Sequence, residues 1–174
     1  MLMISNNALK HGVLLPQKTV VRVNVAWYTD QKSLETELQR LMHRKVCLDY
    51  PQGRTKPPIP QLTLSQAIGL LSKYTNIRYF AVSNTEDPKA VETLRQRLPS
   101  DVCLIPKIET ELGCTKVRQI VSAAQTNIVM LDKEDLYTNV GMDPGRFACS
   151  CAAVRVAGAT DFEVLEICGV VFST

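Results

Sequence analysis

The sequence predicts a parallel α/β fold, and two patterns carry that expectation. Short β-branched runs alternate with segments whose apolar residues recur at helical spacing, the signature of a parallel sheet with crossover helices. Polar and charged residues also gather where the predicted strands finish, the place where a parallel sheet collects its functional side chains.

Val20 to Val25 is the first strand, and Ser33 to Arg44 follows as a helix with Leu34, Leu38 and Leu41 on one face. Lys45 to Leu48 is the next strand and ends at Asp49. The stretch from Tyr50 to Pro60 is rich in proline and contains Gly53, so it reads as an irregular loop. Thr63 and Gln66 have capping-box spacing for a helix through Lys73, and Arg78 to Val82 is then a strand. Asp87 before Pro88 starts a helix with a stripe of Val91, Leu94 and Leu98, because Asp caps well and Pro is tolerated at the first helical position. Val102 to Ile108 is a strand, Thr115 to Ala124 a helix, Ile128 to Leu131 a strand and Val164 to Val171 a last strand.

A chain of 174 residues suffices for one well-buried domain, taken as 1–174, and is too short for a complete (β/α)₈ barrel of ordinary size. The composition, 45% hydrophobic and 21% charged, is that of a soluble globular protein. The net charge of +3 is spread along the sequence without a basic stripe, which argues against a nucleic-acid partner. No apolar run reaches bilayer length, so no membrane partner is expected. Met1 to Pro16 does not read as a secretory signal, and a cytoplasmic location is expected. Cys47, Cys103 and Cys168 sit in apolar strand-like runs and read as buried thiols. Cys149 and Cys151 have one residue between them, which is too close for the usual zinc spacing. His11 and His43 read as surface residues, and Trp27 as a packing or pocket-wall residue.

Lys107 and Glu109 stand two apart at the end of a predicted strand, so their side chains share one face. A lysine and a carboxylate facing an interior need each other, a metal or a ligand to offset desolvation, and a plain buried ion pair would satisfy the same spacing. Asp135, just past the following strand, would supply a second carboxylate to a hard cation such as Mg²⁺; Asp132 and Glu134 compete for that role, and spacing leaves the choice open.

Ile105-Pro106-Lys107-Ile108-Glu109-Thr110, the helix after it, and Ile128 to Leu131 leading to Asp135-Leu136 resemble the pyruvate kinase pattern of a strand ending in K-I-E, a helix, and a strand leading to G-D-L. Arg22-Val23-Asn24-Val25 resembles that family's R-x-N-F strand, and Leu48-Asp49-Tyr50-Pro51 its L-D-x-x-G-P segment. The resemblance runs from about residue 9 to about residue 170 and is strongest between Ala81 and Leu136. It implies a (β/α) TIM-barrel-like domain that binds a small carboxylate or phosphate substrate such as phosphoenolpyruvate or pyruvate. Lys107 would be the catalytic lysine, Glu109 and Asp135 would hold Mg²⁺ or Mn²⁺, and Arg22, with Arg54 or Lys56, would hold the substrate. Asn24 and Asp49 would lie at a K⁺ site.

The sequence departs from that family at several points. Only the loop from Pro51 to Pro60 stands where the family has a β lid, the Ser-His after R-x-N-F is Ala26-Trp27, and Asp132-Lys133-Glu134 replaces the small residues before the metal aspartate. The chain stops about where the seventh strand of the family ends, so an incomplete barrel of about six or seven strands is expected. Its open edges would be covered in a homo-oligomer or by the N-terminal segment. Three functions follow from this reading. The first is a pyruvate kinase-like phosphotransferase, the second a metal-dependent aldolase or lyase of the pyruvate/phosphoenolpyruvate barrel superfamily, and the third a non-catalytic descendant that serves as a binding module.

Overall fold

The computed structural model describes residues 1–11, 15–54 and 57–166, and the side chains of residues 10 and 11 lie outside that description. Among the described residues seven strands follow one another in sequence order with helices between them, and every described pairing is parallel. The fold is therefore the expected parallel α/β class, partly TIM-barrel-like. The chain divides into two compact units, one of residues 1–83 and 96–104, the other of residues 84–95 and 105–174.

In the first unit, β1 (Met3–Ser5), β2 (Val20–Asn24), β3 (Val46–Tyr50) and β4 (Ile77–Val82) pair in order. All five residues of β3 are buried, as a strand covered on both faces requires. The helix α1 (Gln31–Arg40) starts on Asp30, whose carboxylate accepts from Ser33 N at 2.7 Å, and buries Leu34 and Leu38. The expected extension to Arg44 is a turn, closed by Arg44 N donating to Leu41 O at 2.8 Å. The capping box forms on α2 (Leu64–Lys73): Thr63 N donates to Gln66 Oε1 at 2.8 Å, and Gln66 N returns a bond to Thr63 Oγ1 at 3.2 Å. The N-terminal segment covers the β2 edge as β1, with Met3 opposite Val20.

In the second unit, the 105–108 stretch of β5 (Cys103–Ile108) pairs with β6 (Ile128–Leu131), and β6 pairs with β7 (Glu163–Glu166). The part of the last predicted strand beyond Glu166 lies outside the described residues, as does Cys168. The helix α3 (Pro88–Arg97) begins as predicted, with Lys89 N on Asp87 Oδ1 at 3.0 Å. The helix expected over Thr115 to Ala124 is α5 (Val117–Ala124); a separate short helix, α4 (Glu111–Thr115), precedes it, the two divided at Lys116, which has left the helical region at φ −101° and ψ 8°. Two further helices, α6 (Lys133–Asn139) and α7 (Pro144–Asp161), were not expected. The longer one, α7, buries mainly small residues, Ser150, Cys151, Val154 and Ala157, and leaves Val156 exposed, so it has no strong apolar stripe to read. Gly158 of α7 lies against β7, where an added Cβ would come within 2.5 Å of Val164 Cγ2.

Five cysteines are described and all are free thiols; Cys47, Cys114 and Cys151 are buried, Cys103 partly so, and Cys149 is exposed. Burial pushes the Cys114 thiol up to about 12. His43 is exposed as expected. Trp27 is not a packing residue: it is 65% exposed at the end of a short 3-10 turn that follows β2. No helix among the described residues is long and apolar enough to cross a membrane.

Candidate metal centre

The end of β5 delivers Lys107 and Glu109 to one face, and the structure pairs them at 2.6 Å between Lys107 Nζ and Glu109 Oε1. Both are buried, at 4% and 7% exposure. Lys107 Nζ also reaches Asp132 Oδ2 at 3.5 Å. The backbone fixes each partner. Asn84 N, at a left-handed residue with φ 56°, donates to Glu109 Oε2 at 3.2 Å. Thr85 Oγ1 donates to Lys107 O at 2.7 Å, and Asp132 N donates to Ile108 O at 3.1 Å, which ties the loop after β6 to the end of β5.

Asp132 caps α6 by accepting from Asp135 N at 3.5 Å, so the same helical turn that orients Asp132 brings Asp135 beside it. Glu109, Asp132 and Asp135 each offer a carboxylate oxygen, and these oxygens lie within 4.8 Å of one another. Hard oxygen donors converging at that spacing are what Mg²⁺ or Mn²⁺ takes, with remaining positions left to water and substrate oxygens. The set is graded in exposure: Glu109 is buried, Asp132 nearly so, and Asp135 is at the surface. Burial raises the Glu109 carboxyl above its ordinary range, opposed by the Lys107 charge and hydrogen bond and by the Asn84 amide; the nearby Asp132 charge adds to the rise. Glu134 of the same turn is exposed and is not in the cluster.

Strand spacing cannot choose among the three loop acids Asp132, Glu134 and Asp135. The signal that places Asp132 is the cap: an Asp directly after a strand, with a second acid three residues on, marks a helix start. The Asn84 amide had no sequence signal.

In the first unit, β2 and β3 set Asn24 opposite Asp49. Arg22 Nε donates to Asp49 Oδ2 at 2.8 Å, the Nη2 of Arg22 reaches the same oxygen, and Asn24 Nδ2 lies 3.5 Å from it. Asn24 Oδ1 accepts from Ala26 N at 2.9 Å and caps the short 3-10 turn. Asp49 is fully buried, and no described protein group donates to its Oδ1. Arg54 Nη2 donates to Pro57 O at 3.4 Å, and Lys56 lies outside the described residues.

The chain is similar in structure to RipC from Yersinia pestis, with a TM-score of 0.61 at 18% identity, over 84% of this chain and 68% of that one. It is similar to the citrate lyase beta subunit from Mycobacterium tuberculosis, with a TM-score of 0.59 at 15% identity, over 84% of this chain and 67% of that one. It is also similar to CitE from the same organism in complex with magnesium and acetate, with a TM-score of 0.58 at 16% identity, over 84% of this chain and 63% of that one. CitE has been solved with magnesium, acetoacetate and coenzyme A as well. The chain thus spans about two thirds of the length of these structures. No protein-family model and no curated protein matches it. At this identity the likeness shows the fold. The pyruvate kinase resemblance is corrected at its finer level: one of these structures is named as a citrate lyase beta subunit and none as a kinase, so the kinase and transferase reading gains no support from them.

Proposed function

We propose that Glu109, Asp132 and Asp135 hold a divalent metal, Mg²⁺ or Mn²⁺, and that the chain acts on a small carboxylate by metal-dependent lyase or aldolase chemistry. The observation that carries this reading is the convergence of three carboxylate oxygens within 4.8 Å beside the buried Lys107 ammonium. CitE, a protein of like fold, is solved with magnesium and acetate, and with magnesium, acetoacetate and coenzyme A, which supports the same ligand class here. A divalent ion in this cluster would supply Lewis-acid polarisation of a substrate carbonyl or carboxylate oxygen.

The chain's own residues do the rest. Lys107, buried and positively charged, offsets negative charge that builds on a substrate oxygen, and its low-dielectric setting strengthens that effect. Glu109 is held from two sides, by Lys107 and by the Asn84 amide, so its carboxylate is oriented before a ligand arrives. The cap on α6 does the same for Asp132 and fixes the turn that bears Asp135.

In the first unit Arg22 is the proposed anion contact, with Arg54 and Lys56 as further candidates. Asn24 and Asp49 are the proposed K⁺ residues; Asp49 Oδ1, buried and without a described donor, is the oxygen such an ion would take.

Electron paramagnetic resonance of Mn²⁺ tests the metal reading. Stoichiometric binding is expected, weakened more than about 100-fold by Glu109→Gln or Asp135→Asn, since ligand loss exceeds the effect of losing an outer-shell partner. Binding indifferent to both substitutions would reject the site. Exchange of pyruvate methyl protons with deuterated water, dependent on Mg²⁺ and independent of nucleotide, is the expected mark of lyase-type enolisation.

A further inference from the structure

The position of Lys107 bears on how a metal enters this cluster. Its ammonium contacts two of the three candidate ligand residues, Glu109 at 2.6 Å and Asp132 at 3.5 Å. With Lys107 protonated and the three acids ionised, the formal charge of the group is −2, which a divalent cation would balance. We propose that Lys107 is the resident counter-ion of the carboxylate cluster, displaced from Glu109 and Asp132 when a divalent cation binds, and that it thereby sets the affinity of the site. This rests on the metal reading above and goes beyond it.

Buried carboxylates require a positive partner, and Lys107 is placed as that partner for Glu109 and Asp132. A divalent cation draws its oxygens to about 2.0–2.1 Å. An ammonium on those same oxygens would then face a double positive charge at close range, so one of the two cations must give way. The lysine can do so, because its charge rides on a flexible four-carbon stem. The carboxylates need not follow. Glu109 keeps the Asn84 amide on its other oxygen, and Asp132 keeps its cap to Asp135 N through Oδ1. Metal binding is then an exchange of counter-ions on oriented ligands, and the affinity is lowered by the work of moving the ammonium.

The test is a Mn²⁺ titration, followed by electron paramagnetic resonance, on the full chain and on its Lys107→Met and Lys107→Arg variants. Lys107→Met removes the competitor and is expected to tighten binding by about tenfold or more. Lys107→Arg keeps the charge and is expected to bind no tighter than wild type. Equal or weaker binding by Lys107→Met overturns the proposal. Wild type provides a second readout that does not depend on Lys107→Met folding. Mg²⁺ should shift the Lys107 Cε resonance, assigned by its absence from the Lys107→Arg spectrum, and an unmoved resonance at saturating Mg²⁺ overturns the proposal equally. Binding lost in Glu109→Gln but indifferent to Lys107 defeats the counter-ion role alone. Absence of Mn²⁺ binding in wild type defeats the metal reading and this inference together.

Discussion

Glu109→Gln should move stability in opposite directions with and without metal. Burial raises the Glu109 carboxyl despite Lys107, so protonating it costs less in the folded protein than in the unfolded chain. For an acid with a raised folded pKa, the resulting stabilisation is complete below the unfolded pKa and is lost as pH rises through the folded one. Glutamine is close in shape to the protonated acid, and Lys107 keeps Asp132 at 3.5 Å, so its charge is not stranded. The variant should therefore match wild type at acid pH and exceed it near pH 7 in the presence of chelator. Metal reverses the order. At a hundred-fold excess over Kd, wild type gains about 2.7 kcal/mol by mass action, which the variant forgoes. For a chain of this length that is a rise in Tm of roughly 5–11 °C. Urea unfolding at acid and neutral pH, with chelator and with Mg²⁺, reads all four conditions. A variant less stable than wild type in chelator at neutral pH, or a wild type indifferent to Mg²⁺, refutes the reasoning.

Gly158→Ala should destabilise, by about 1–3 kcal/mol of overpacking less about 1 kcal/mol of helix propensity, because the new Cβ meets Val164 at 2.5 Å. Gly69→Ala, in α2 with nothing within 4 Å, should instead stabilise by about 0.5–1 kcal/mol, and thermal melts of the pair check the contrast. Asp49→Ala should cost about 3 kcal/mol in chemical denaturation, the low end for breaking a buried pair, since the Arg22 side chain is 22% exposed and can rehydrate. The double substitution Arg22→Met with Asp49→Leu should recover most of that loss.

Much of the fold was legible because local signals and tertiary packing agree. Ile128 to Leu131 is a strand over the predicted bounds, and the Thr63 and Gln66 box closes as its spacing requires. The misses have physical causes. With three residues, β1 is too short to show a period, and α7 packs through small residues that no apolar pattern marks. Lys107 and Glu109 were readable because residues two apart on a strand share a face. Asp132 is not singled out by spacing because its place depends on α6, a short helix with one buried residue, Leu136, and so no apolar period to mark it. The contact of Arg22 with Asp49 depends on register between β2 and β3, which is a long-range property. Trp27, read as packing, stands in solvent because the turn capped by Asn24 carries it out of the strand.

The most direct test is a crystal structure of the chain grown with Mn²⁺, with anomalous scattering used to locate the ion. The account predicts one peak about 2.0–2.2 Å from carboxylate oxygens of Glu109, Asp132 and Asp135, with Lys107 swung away. Lys107 still seated on Glu109, with no metal between the three acids at saturating Mn²⁺, would contradict it.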